Sequence, residues 1–479
     1  MISMRRCGSL LTLCFVSILL CIPWKSIAAS PRADVLLQTM QTELQRAMAS
    51  LAKTDPAPYY LSYAVTDSDT AAIAAANGGV IISARVRRRQ ADVTMHVGTA
   101  ALDNTHGQSR SSGLLSGLLP LDNDRVAIAR VLWQLTNREY DQASAAFVRV
   151  KTNYAVQSPE EDKSPDFSHE APQNHIDEKK LPLTFDQKSW QERIRNVSAE
   201  FLKYPDVYTS VVTLQTGTGE SYLATSDGTA IVQPSAITRM VIEAETRADD
   251  GMELLRVESF EQPSLSSLPS ESELLAKVDK MAADLKALRA APAAEPYAGP
   301  ALLSGRAAAV FFHEVLGHRL EGHRQRDERE GQTFTKKINQ LVLPQFLSVV
   351  DDPTIKELDG VKLAGNYQYD DEGMPAQRVV AVQDGVLKNF LMSRIPITGF
   401  SDTNGHGRAQ EGFIPTGRQG NLIVTSTNTV SDSDLRKKFI EEIKKQGKPY
   451  GLYFEDIQGG FTLTQRAQPQ AFEVIPVMV

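Results

Sequence analysis

The chain has 479 residues, of which 42% are hydrophobic and 23% charged, with a net charge of −7. Its length exceeds the roughly 250–300 residues at which a single hydrophobic core stops growing, so two domains are expected. The composition excludes a fibrous or wholly disordered chain, and the acidic balance excludes nucleic acid as the main partner, because phosphate binding needs a basic footprint.

The first 28 residues form a separate unit. Arg5 and Arg6 give a positive start, Leu10 to Trp24 is almost uninterruptedly apolar, and Ser26-Ile27-Ala28 offers small residues where a signal peptidase reads. This three-part pattern predicts a secretory signal peptide over 1–28 and a periplasmic or secreted protein. The apolar run is short of the roughly 20 residues that span a bilayer, and no later segment is long and apolar enough, so no membrane span is expected after cleavage. Cys7, Cys14 and Cys21 all lie in this segment. The remainder has no thiol with which to form a disulfide, ligate a metal or attack a substrate.

Residues 32–53 predict a helix, with Leu36, Leu37, Met40, Leu44, Met48 and Leu51 at three- and four-residue spacing. Strands are expected over Tyr59 to Val65, Gly79 to Val86 and Ala91 to Val97. Arg85, Arg87, Arg88 and Arg89 read as the solvated face of a strand. Asp122 to Tyr140 predicts a second helix, and the proline- and charge-rich stretch 156–182 an exposed loop. A helix over 186–203 and further strands to about 260 follow. Ser270, with Glu273 three residues on, predicts a capping box opening a helix to Ala290. The Ala/Pro stretch within 290–299 suits a linker between an N-terminal domain (30–289) and a C-terminal domain (300–479).

The chemistry concentrates between Arg306 and Arg324. Ala307 to Leu316 consists of helix formers and apolar residues, and His313, Glu314 and His318 are set into or just after it. Neutral imidazoles suit zinc, and a glutamate beside them can act as general base toward water that the metal has acidified. In the common zinc peptidase motif the histidines are four residues apart on one helical face; here they are five apart. At ~100° per residue a regular helix would separate them by roughly 140°. Either a π-turn or unwinding at Gly317 is therefore expected between them. No serine sits in a nucleophile elbow and no phosphate-binding glycine loop is present.

His313-Glu314-x-x-x-His318 followed by Glu321-Gly322, then Tyr369 to Arg378, Gly385 to Lys388, Asn404 to Arg408 and Asn421, resembles the TldD/PmbA family of metalloproteases. The signal segment places it with an exported branch. The resemblance implies an α+β fold, with an N-terminal α/β layer domain and a strand-rich C-terminal metalloprotease domain. It implies a zinc-dependent peptidase acting on unfolded or short peptides, with His313 and His318 as Zn2+ ligands and Glu314 as catalytic base, working as a homodimer or paired subunit. The family's third ligand is a cysteine near its C-terminus, and no cysteine follows Cys21. A C-terminally short domain is therefore expected, and with it the alternative of a catalytically impaired homologue that binds peptides or a partner subunit. His323, His406, Asp351, Asp352, Asp370 and Asp371 remain candidate substitutes for the missing ligand.

Overall fold

The computed structural model describes residues 34–478 apart from 108–112, 157–160, 180, 294 and 468–470. The expected signal peptide and the three cysteines lie outside the described residues. The first helix, α1 (Val35–Leu51), buries Leu36, Leu37, Met40 and Leu44 on one face. Where three short strands were expected, there are two long ones, β1 (Pro58–Ala76) and β2 (Gly79–Thr99). They are joined by a two-residue turn in which Asn77 and Gly78 both have positive φ, as a type I′ hairpin requires. The polar middle of the hairpin does not interrupt it. Arg85 pairs with Asp69, and Arg87 and Arg89 with Asp67, across the two strands. Cross-strand ion pairs thus carry the ladder through a stretch that reads as a break in the sequence.

Two short strands, β3 (Leu102–Asp103) and β4 (Leu114–Leu118), both pair with β2. Helix α2 (Arg125–Val156) runs well past the expected end at Tyr140. After β5 (Asn174–Ile176) and α3 (Gln187–Ala199) come β6 (Thr209–Thr225), β7 (Ala230–Arg247) and β8 (Glu253–Gln262). The eight strands form one sheet whose main path is β3-β2-β1-β6-β7-β5, with β8 on β7. Helix α4 (Glu271–Ala290) opens with the expected Ser270–Glu273 capping box. All four helices pack on one face of the sheet. Leu61, Tyr63 and Val65 of β1 meet α1 and α2, while Ile73 and Ala75 of the same strand meet α3 and α4. The alternation of strand side chains sends Tyr60, Ser62 and Ala64 to the opposite face.

The stretch read as an exposed loop is only partly so. Asp166, Phe167 and Ser168 are buried. The Phe167 ring lies 4.1 Å from the Arg394 guanidinium and 4.2 Å from the His96 ring. Asp166 receives Arg326 at 2.6 Å and His106 at 2.7 Å. Proline and charge density made this stretch look solvated, but its acid and aromatic find partners far along the chain.

The C-terminal part is strand-rich. After β9 (Ala301–Leu303) and α5 (Gly305–Val315) come four antiparallel strands in the order 386–387, 379–383, 347–351 and 422–426. Leu316, Leu320, Val349, Val382, Leu387 and Phe390 make their core. A two-stranded ribbon of 456–463 and 471–478 packs on α5. A helix-backed sheet followed by a strand-rich part is the expected two-domain α+β class.

Candidate metal centre

Helix α5 starts at Ser304, whose hydroxyl accepts the Ala307 N–H. It ends at Val315; Leu316 departs from helical geometry with φ −113° and ψ −52°, and a 3-10 turn begins at Gly317. The irregularity expected between the two histidines is therefore an unwinding at Leu316–Gly317. A Cβ on Gly317 would lie 2.0 Å from Gln419 Oε1. Any larger residue there would push the Gln419 amide aside. The Arg319 guanidinium donates to the Glu314 and Val315 carbonyls, satisfying the freed helix end.

The turn brings the two imidazoles to a 4.6 Å centroid separation, at 75° to each other. His313 Nε2 lies 3.8 Å from one Glu314 carboxylate oxygen, and His318 Nε2 lies 3.7 Å from the other. One ligand atom from each of His313, Glu314 and His318 falls within 4.8 Å of the others. Glu314 is buried while His313 is half-exposed, so the cluster opens to solvent on the His313 side. Burial, and after it the neighbouring His318, holds the His313 imidazole below its ordinary pKa, favouring the neutral form that ligates metal.

The second layer is more elaborate than the sequence indicated. Glu321 is 1% exposed and accepts His318 Nδ1–H at 2.8 Å, which leaves His318 Nε2 as the free donor atom. Its carboxylate also receives Arg324 at 2.6 Å and Arg418 at 2.9 and 3.0 Å. Burial pushes this carboxyl up, but the hydrogen bond from His318 and the surrounding cations outweigh it and hold it well below the usual range. A carboxylate fixing the far nitrogen of a ligating histidine is a recurrent feature of metal sites. Thr462 Oγ1 donates to Glu314 Oε2 at 2.6 Å and so orients the candidate base. Glu321 could be singled out in the sequence but not given a role; Thr462, in a segment resembling the family's, was given none either, and Arg418 gave no signal, because both reach the site only through the fold.

The six candidate substitutes for a third ligand fall outside this cluster among the described residues. His406 is fully buried, with Nε2 facing Asp351 at 3.2 Å and Nδ1 facing Asn404. Asp370 accepts three backbone N–H groups, from Glu372, Met374 and Gly407. Asp371 pairs with Arg408, and Asp352 accepts Thr354. His323 is partly buried, and desolvation first, with Arg324 and Arg418 after it, pushes it down to about 4. The donor chemistry present, two imidazoles with a carboxylate between them, fits zinc with open coordination positions.

The PmbA/TldA metallopeptidase C-terminal domain model matches residues 297–470, which contain this cluster and its supports. A metalloprotease of Archaeoglobus fulgidus is 33% identical over 156 residues, covering 32% of each chain. A zinc metalloprotease TldD homologue of Saccharolobus solfataricus is 23% identical over 177 residues, 36% of this chain and 37% of that one. The matched stretch thus spans about a third of the length of these curated relatives. Over the whole fold, TldE of Thermococcus kodakarensis superposes with a TM-score of 0.55, covering 88% of this chain and 83% of that one, at 13% identity. Both the family model and the architecture agree with the motif blocks: residues 297–470 carry the C-terminal domain of the TldD/PmbA family.

Proposed function

We propose that the protein is an exported zinc-dependent peptidase that hydrolyses unfolded or short peptides. The convergence of His313, Glu314 and His318 carries this reading, and no membrane-crossing helix stands among the described residues. His313 and His318 would hold the ion. Zinc, when bound, supplies Lewis-acid polarisation of a carbonyl and of water. Glu314 accepts the proton of the attacking water and returns it to the leaving amine. Thr462 holds the Glu314 carboxylate in place, and Glu321 holds the His318 ring. The signal segment supports a periplasmic or secreted location. The TldE-like fold suits a homodimer or paired subunit.

The test measures zinc per chain and cleavage of unfolded peptides for wild type and Glu314→Ala. Equal cleavage by both ends the proposal. A second reading, a catalytically impaired homologue that binds peptides or a partner subunit, draws on the cluster holding, among the described residues, two imidazoles and the Glu314 carboxylate alone. Zinc far below one ion per chain after gentle purification would favour it.

A further inference from the structure

The face of the large sheet turned away from its helices is hollow at its centre. Its side chains there are small: Ser62, Ala64 and Thr66 on β1, Thr94 on β2 and Ser221 on β6. Segments 370–372 and 409–415 roof the hollow, leaving a cavity of about 150 Å³ walled in part by Tyr60, Leu223 and Phe413. A cavity of that size takes one ring- or side-chain-sized group, not a whole ligand.

The acidic and basic side chains on its walls, His96 apart, are all carboxyl groups, set among hydroxyls and amides. Among the described residues no lysine or arginine lines it. Asp371, Glu411 and Asp166 have arginine partners in Arg408, Arg88 and Arg326. Asp92 does not. Its carboxylate accepts only the Ser116 hydroxyl, the Gln90 amide and the Gly412 N–H. An independent feature points the same way. His96 is 6% exposed and clamped between Tyr60 and Phe167. Its Nδ1 is held by Asp103 Oδ2 at 2.7 Å, an oxygen that also accepts the Tyr59 hydroxyl. With Nδ1 engaged by Asp103, Nε2 is the ring atom left for a ligand, and no side chain or backbone group among the described residues bonds it.

Shared residues link the cavity to a support of the metal centre. Ala409, Gln410, Phe413 and Ile414 also line a neighbouring hollow closed by Arg408 and Arg418. Arg418 is the residue that grips Glu321 behind His318.

We propose that this cavity is a substrate pocket that receives the cationic side chain of a lysine or arginine in a bound peptide. The aliphatic stem lies along Tyr60, Leu223 and Phe413, and the charged head meets Asp92 and His96 Nε2. This inference rests on the peptidase reading, so its test is made without turnover.

Calorimetric binding to full-length Glu314→Gln protein compares three short alanine-based peptides that differ only in one lysine, norleucine or glutamate. The lysine peptide is expected to bind about tenfold tighter than the norleucine peptide, with glutamate weakest. Asp92→Asn, which keeps the side-chain shape, is expected to bring lysine and norleucine within about twofold. Ala64→Leu, which fills the floor, is expected to remove the preference as well; thermal melts confirm that both variants fold. Equal binding of the lysine and norleucine peptides by the parent protein overturns the proposal, as does a preference that survives both substitutions. Agmatine binding as tightly as the lysine peptide would assign the pocket to a free amine and overturn the peptide assignment. Selective binding by a protein that cleaves nothing in its wild-type form would support the pocket while overturning the peptidase reading.

Discussion

Replacing Glu321 with glutamine tests the metal centre most directly, because it changes no proposed ligand. The native carboxylate is buried, and its two oxygens accept hydrogen bonds from His318, Arg324 and Arg418. Glutamine keeps the volume but offers one acceptor oxygen and turns an NH2 group toward two donors. The His318 ring then loses the anchor that fixes which nitrogen carries its proton. Loss of such a partner typically weakens metal binding 10- to 100-fold, or about 1.4–2.7 kcal/mol. Arg418 is left without its carboxylate while Arg324 keeps Glu330, so folding stability falls as well. The two effects separate experimentally: chelator competition gives the zinc Kd, and denaturant unfolding without metal gives stability. Glu330→Gln is the control, since Glu330 pairs with the same Arg324 at 3.0 Å but touches no histidine. It should lower stability and leave zinc Kd within about twofold. A zinc Kd in Glu321→Gln equal to that of wild type would refute the role assigned to this carboxylate.

Other perturbations probe neighbouring links. Glu314→Gln should retain zinc while kcat falls at least about 10²-fold, the usual contribution of a positioned general base; steady-state kinetics beside metal analysis would show otherwise if both fell together. Thr462→Val removes the 2.6 Å bond to Glu314 Oε2 and should lower kcat about fivefold, worth about 1 kcal/mol, without changing zinc Kd. Gly317→Ala displaces the flexible end of the Gln419 side chain and should cost no more than about 1 kcal/mol in denaturant unfolding. Glu139, buried on α2 with neither carboxylate oxygen partnered among the described residues, is raised by burial from 4.5 to about 8. Its folded form keeps a proton that the unfolded chain releases, so its contribution to stability declines as pH rises from about 4.5 to 8. Relative to Glu139→Gln, wild type should lose up to about 4–5 kcal/mol across that window. Parallel pH–stability curves for the two proteins would exclude it.

The sequence carried the helix periods of α1 and α4, the capping box at Ser270, and the identity of the clustered imidazoles, because each depends on residues within one or two turns. The five-residue spacing even located the break between His313 and His318, since a straight helix could not bring the rings together. What the sequence did not reveal depends on partners far along the chain. The polar run at 66–70 looked like the end of a strand because the arginines that neutralise it lie about 20 residues away on β2. The 166–168 stretch looked solvated because Arg394 and Arg326, which enclose it, lie more than 150 residues further on. Thr462 and Arg418 belong to the same class, being ordinary surface-type residues until the fold places them behind the site.

The motif blocks that carry the family resemblance most strongly are scaffold rather than chemistry. Asp370 ties three backbone N–H groups, and the Asn404 side chain bridges the Met392 N–H and the Phe390 carbonyl. Asn421 donates to the Asp352 and Ile355 carbonyls. Their bearing on the metal centre runs through one chain of contacts. Asp351 holds His406 and the Gly420 N–H; the His406 carbonyl accepts the Arg418 N–H; the Arg418 guanidinium grips Glu321; and Glu321 fixes the His318 ring. Each link is a directional hydrogen bond with both ends buried or half-buried, so displacement at one end is transmitted as misorientation at the other. A site built from two imidazoles on a broken helix has little rigidity of its own, and this chain of contacts supplies the orientation that the helix no longer provides.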